Sequence, residues 1–96
     1  MSENRFDVHQ ALRVFAIVMK YGEKMNKDYT LDGLTVSSAD DGYTVTLTNG
    51  FVVLSIFFHN SYDIQFKTEH ELEQFQRALD EIDAKDKKGL YIPVAL

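Results

Sequence analysis

Residues 43–58 read YTVTLTNGFVVLSIFF, and the fold follows from how this stretch is taken. Tyr43, Val45 and Leu47 alternate with Thr44, Thr46 and Thr48, the period of two that a half-buried strand requires. Asn49-Gly50 comes next, followed by a second, apolar run. A two-residue Asn-Gly loop is the strongest short-range hairpin signal, because a type I′ turn needs positive φ at both central residues. The resulting register sets Thr48 opposite Phe51, Leu47 opposite Val52, Val45 opposite Leu54 and Tyr43 opposite Ile56. One side of the ribbon is then apolar and is the expected core side. The other carries Thr44, Thr46 and Thr48 opposite Ser55, Val53 and Phe51.

Upstream of the ribbon, the chain is extended from Tyr29, with Leu34 and Val36 alternating against Thr35 and Ser37. Asp41-Gly42 supplies a second two-residue turn that pairs Asp40 with Tyr43 and puts Val36 opposite Leu47. Leu34 and Val36 therefore share the core side. Downstream, Tyr62, Ile64 and Phe66 alternate with Asp63 and Gln65 as a fourth strand. Its register turns on one residue: a two-residue Asn60-Ser61 turn sets Ile64 opposite Phe57, on the wrong side, whereas a three-residue loop sets it opposite Ile56. The three-residue loop is preferred, matching Phe58 with Tyr62 and Leu54 with Phe66.

Helices bracket these strands. Asp7 reads as an N-cap, Gln10 completes a capping box, and Gly22 stops a first helix over about Val8 to Tyr21. Val8, Leu12, Phe15 and Met19, flanked by Ala11 and Ala16, form its expected core stripe. Val14, Ile17, Val18 and Tyr21 widen the apolar arc until only His9, Arg13 and Lys20 form a wet strip. Such a helix is expected to be sandwiched, by the other helix or by another subunit. Glu23 to Asp28 reads as a charged connecting loop. Thr68 and Glu71 form a capping box for a second helix whose core stripe is Leu72, Phe75, Leu79 and Ile82. Glu73 with Arg77 and Glu81 with Lys85 stand at ion-pair spacing along it, and Gly89 ends it. The remaining GLYIPVAL is apolar, and Pro93 holds it extended.

The expected fold is α+β: a two-layer αββββα domain in which a four-stranded antiparallel meander is covered on one face by both helices. Ninety-six residues make a single domain, with a core of about residues 7–88 and an apolar tail, 89–96. Hydrophobic residues at 45%, with seven Phe and five Tyr, suffice for that core. With no cysteine, disulfides, thiolate metal sites and thiol catalysis are excluded, and a cytoplasmic location is expected. No secretory leader is expected from the N-terminal residues. The longest helical apolar run, Val14 to Met19, is short of the roughly 20 residues that cross a bilayer, so no membrane partner is expected. A net charge of −5 with scattered basic residues argues against nucleic acid.

Among possible sites, His59 lies at a strand end beside Asn60, with Asp63 four residues on. A His-Asp pair orients an imidazole for base catalysis or metal binding. The plainer reading is a polar loop tip, since no nucleophile or third ligand stands at a defined spacing. Glu69, Glu71 and Glu73 serve the helix dipole, His70 in the same turn is solvated, and Asp40-Asp41-Gly42 is a turn without calcium-loop ligands. Phosphate-loop, dinucleotide and nucleophile-elbow motifs do not occur. No cofactor and no catalytic residue are expected. Phe51, Val53 and Phe57 project from the side opposite the helices and are interface candidates, with Leu90, Tyr91, Ile92 and Val94 of the tail placed to cover them.

The order helix, Gly22 stop, Gly42-Tyr43-Thr44, apolar strand, Phe58-His59-Asn60 and short acidic helix resembles a family of short uncharacterised bacterial proteins classed as a domain of unknown function. The resemblance covers about Val8 to Asp83 and leaves out the tail after Gly89. It implies no activity, cofactor or catalytic residue. The functional expectation is a small cytoplasmic interaction or regulatory protein, homo-oligomeric or bound to another protein. The alternatives are a small-ligand or metal-binding domain using the His59 loop, and a minor enzyme.

Overall fold

The computed structural model describes residues 7–40, 42–57 and 61–91. In chain order the elements are α1 (Val8–Tyr21), β1 (Glu23–Met25), β2 (Asp28–Leu31), β3 (Leu34–Ser38), β4 (Val45–Thr48), β5 (Val53–Ile56), β6 (Tyr62–Gln65) and α2 (Glu69–Lys87). The expected α+β class with terminal helices beside an antiparallel sheet is found, but the sheet has six strands and not four. Every strand pairs with its neighbours in sequence, in the order β1-β2-β3-β4-β5-β6.

The two additional strands come from the stretch read as a connector. β1 and β2 close around Asn26-Lys27, with Asn26 at φ 59°, and β2 and β3 close around Asp32-Gly33. Asp32 and Gly33 both have positive φ, 51° and 83°, so the type I′ geometry sits here. At Asn49-Gly50 the turn is different. Thr48 faces Val53, giving a four-residue loop in which the Asn49 side-chain oxygen accepts from the Phe51 and Val52 amides. The hairpin register is thus two residues away from the expected one: Leu47 faces Leu54 and Val45 faces Ile56.

β5 and β6 show the same displacement. Leu54 faces Ile64 and Ile56 faces Tyr62, and the Phe57 amide donates to the Ser61 carbonyl at 2.7 Å. Both shifts are even, so the paired residues of β4, β5 and β6 keep their expected faces. The β3-β4 register is as expected, with Val36 opposite Leu47. Gly42 there donates to the Ala39 carbonyl, while Asp41 lies outside the described residues.

Asp7 caps α1, accepting from the His9 and Gln10 amides. Gln10 does not close a capping box; it reaches across to α2, donating to Asp80 and accepting from Gln76. The buried face of α1 is also rotated from the expected stripe. Ala11, Val14, Ile17 and Val18 are buried, whereas Val8, Leu12 and Phe15 are half-buried and Met19 is 39% exposed. The sandwiching is real: α1 packs on α2 and on β2 and β3, and the side turned toward its neighbours takes the fullest burial.

Gly22 ends α1 for want of space. Its φ is −78°, but a Cβ there would stand 2.5 Å from the Val18 carbonyl oxygen and 2.6 Å from that of Thr30. The glycine lets β2 run directly against the last turn of the helix. Thr68 caps α2 through the Glu71 amide, and Glu71 accepts from the Lys67 amide. At the other end Gly89, at φ 71°, donates to the Asp86 carbonyl and Leu90 to that of Lys85, a Schellman closure. Leu72, Phe75, Leu79 and Ile82 are buried as expected and join Leu34, Val36, Leu47, Val52, Leu54 and Ile56 in one core.

Candidate functional site

Antiparallel order brings the Asp32-Gly33 turn and the loop from Asn49 to Val52 to the same end of the sheet. There α2 passes beside them and leaves an open groove of about 490 Å³, within the range of small-ligand sites. Asp32, Gly33, Asn49 and Phe51 form the sheet-side wall. His70, Glu71, Gln74, Arg77, Ala78 and Glu81 form the helix-side wall, spaced so that they share one face of α2. The Phe51 ring is 69% exposed, so the expectation that it joins the face opposite the helices is corrected: the four-residue loop delivers it to the groove.

Asp32 anchors one end of the groove. Its carboxylate accepts from the Tyr91 hydroxyl at 2.7 Å and from Lys85 at 3.1 Å. The Tyr91 hydrogen bond, with Lys85 beside it, holds the Asp32 carboxyl below the usual carboxylate range against the opposing effect of burial. Burial first, and then the Asp32 carboxylate, push the Tyr91 phenol well above its ordinary pKa. The Tyr91 ring stacks on Tyr21 at 5.6 Å between centroids, tying the residue to the end of α1. Lys85 therefore serves Asp32 and not Glu81, and among the described residues neither expected i,i+4 pair of α2 closes.

The reverse face of the sheet has a different character. Strands β3, β4 and β5 present Thr35, Ser37, Thr46, Thr48, Val53 and Ser55 outward, with no ionisable side chain among them. On the described strands charge appears on this face only outside β3, β4 and β5, as Glu23 on β1, Asp28 on β2 and Asp63 on β6. Val53 and Phe57 project from this face, the latter 40% exposed. The seven interface candidates are thus divided: Val53 and Phe57 on the sheet face, Phe51 in the groove, Tyr91 bonded to Asp32 of its wall, and Leu90 exposed just past the end of α2. Ile92 and Val94 lie outside the described residues, as do His59 and Asn60. Asp63 is exposed on β6 opposite Ser55.

Among the described residues, no three His, Asp or Glu side chains converge to hold a metal ion. Among the described residues, no helix is long and apolar enough to cross a membrane. The reverse face was expected as an interface from Val53 and Phe57, but the groove was not visible as a site in the sequence. Its local signals are Asp32-Gly33 between apolar residues for one wall and the helical spacing from His70 to Glu81 for the other.

No curated protein and no solved structure matches the chain. A family model does, over residues 6–89, which takes in both helices and the whole sheet and stops before the tail. The chain therefore belongs to the family described as "Protein of unknown function (DUF3081)".

Proposed function

We propose that this is a small, non-catalytic cytoplasmic interaction domain that associates with a second copy of itself through the reverse face of the sheet. The observation that carries the reading is the uncharged outward surface of β3, β4 and β5 in a chain of which 26% is charged. Depletion of charge at the centre, with charge at the rim, is the pattern of a protein interface. Asp28 and Asp63 stand at that rim, and Val53 and Phe57 supply the apolar projections. The surface is built mostly of short side chains, which suits a sheet face laid on its own copy about a twofold axis.

Light-scattering mass at micromolar concentration tests the reading. A dimer is expected for the parent, with Phe57→Lys and Thr46→Lys each shifting the mass toward monomer. A parent that stays monomeric overturns self-association.

A further inference from the structure

We propose that the groove between α2 and the two turns binds a free α-amino acid with an apolar side chain, its carboxylate on Arg77 and its ammonium on Glu81. These two residues line the same wall one helical turn apart, about 5–6 Å between Cβ atoms. Opposite charges at that spacing attract, yet among the described residues neither Arg77 nor Glu81 makes an ion pair. The order of the two accounts for part of this, since a base N-terminal to its acid is the weaker arrangement in a helix. Competition accounts for the rest: Lys85, four residues after Glu81 and in the better order, is taken by Asp32 at 3.1 Å.

The other carboxylates of the groove are already engaged. Asp32 accepts from Lys85 and Tyr91, and Glu71 accepts from the Lys67 amide. What is left for a ligand is one cation beside one anion. A simple anion would be opposed by Glu81 and a simple cation by Arg77, whereas a zwitterion carries the complementary pair on a single carbon and makes a charge-assisted contact with each. The apolar part of the lining then receives the side chain. Phe51 is 69% exposed, its amide held by the Asn49 side-chain oxygen, and half-buried Ala78 lies next to Arg77 on the facing wall. Gly33 leaves its wall bare, since a Cβ there would touch nothing. About 490 Å³ admits a side chain as large as that of phenylalanine. This inference is independent of association through the sheet face, which lies on the other side of the strands.

Amide NMR on the full chain tests it, with L-leucine and L-phenylalanine as probes and L-leucinamide and N-acetyl-L-leucine as analogues that each lack one charge. The two amino acids are expected to move the resonances of Gly33, Phe51 and Ala78. Each analogue is expected to bind at least about tenfold more weakly than leucine, having lost one hydrogen-bonded charge. Arg77 and Glu81 are both exposed, so Arg77→Gln and Glu81→Gln leave the core alone. Arg77→Gln should remove the preference for leucine over leucinamide, and Glu81→Gln the preference for leucine over its N-acetyl form. Thr46→Lys, on the sheet face, should leave binding unchanged whatever it does to the particle mass. The proposal is overturned if neither amino acid moves those resonances at about 10 mM, or if leucine and its analogues bind equally, as a merely apolar groove would have them do. Unchanged preferences in both variants overturn it as well.

Discussion

Arg13 and Asp83 stand 70 positions apart and meet at 3.0 Å, the guanidinium of α1 closing over the carboxylate of α2. Asp83 is the one ionisable side chain in the buried set of the described residues, 7% exposed, and Lys87 approaches it from the other side at 3.9 Å. The sequence places Arg13 on a wet strip, which its own exposure supports, yet its charge is committed to fastening the helices. The Arg13 hydrogen bond holds the Asp83 carboxyl below its ordinary value, overcoming the opposite push of burial.

The sign of the pH effect follows. A carboxyl whose folded pKa is depressed contributes stability that is complete above its unfolded value, about 4, and lost as the pH falls through the folded one. Asp32 acts in the same direction. The thermal midpoint is therefore expected to drop between about pH 5 and pH 3. Arg13→Gln lowers the midpoint at neutral pH and flattens that acid limb. A midpoint with an unchanged acid slope in the variant would contradict the assignment.

Tyr91 behaves in the opposite sense. Its folded pKa is raised, so its contribution is complete below the ordinary tyrosine value, about 10, and is lost as the pH climbs toward the folded one. Absorbance at the tyrosinate band measures this. At about pH 11 the parent and Tyr91→Phe are expected to show the same tyrosinate absorbance per molecule, because Tyr91 is still protonated there. A surplus of one tyrosinate in the parent would show that the contact with Asp32 does not restrain the phenol.

Gly22→Ala tests the junction of α1 and β2. The added methyl carbon meets two backbone oxygens, which cannot turn aside as a side chain can. The helix end must move from the strand, at a cost of about 1–3 kcal/mol by the usual scale of overpacking. Chemical denaturation reads it; a variant as stable as the parent would show that this junction has slack.

Leu54→Ala tests the core. Leu54 sits on β5, is 1% exposed and faces Leu47 and Ile64 across the ladder. Loss of its side chain is expected to cost about 2–5 kcal/mol. Amide exchange at Leu54 and Ile56 should be the slowest class in the parent.

How far the sequence could be read depended on what each residue signals locally. Face assignment survived two register errors because each was even, and the alternation of Val45, Leu47, Leu54 and Ile56 is insensitive to a shift of two. The errors had a chemical source. Asn49 spends its side chain on the Phe51 and Val52 amides and so builds a wider loop from the same dipeptide that elsewhere makes a tight turn. β1 gave no periodic signal because Glu23, Lys24 and Met25 are all exposed on an edge. The Asp32-Gly33 turn between Leu31 and Leu34 carried a local signal that was passed over when the chain was taken as extended from Tyr29. The groove had no local signal of its own, since it exists only where α2 comes to lie beside two turns that are distant from it in sequence.

The strictly sequential strand order has a kinetic consequence. Each pairing in the sheet closes over a short stretch of chain, so the meander can assemble by successive hairpins with little loop entropy opposing each step. The contacts that span the chain are made by the helices and the residue that follows them: Gln10 with Asp80, Arg13 with Asp83, Lys85 with Asp32, and Tyr91 with Tyr21 and Asp32. Helix docking is then the event that converts six locally formed strands into a cooperative unit. Substitutions at the helix–helix seam should register in the unfolding limb of a chevron, and substitutions in the hairpins in the folding limb.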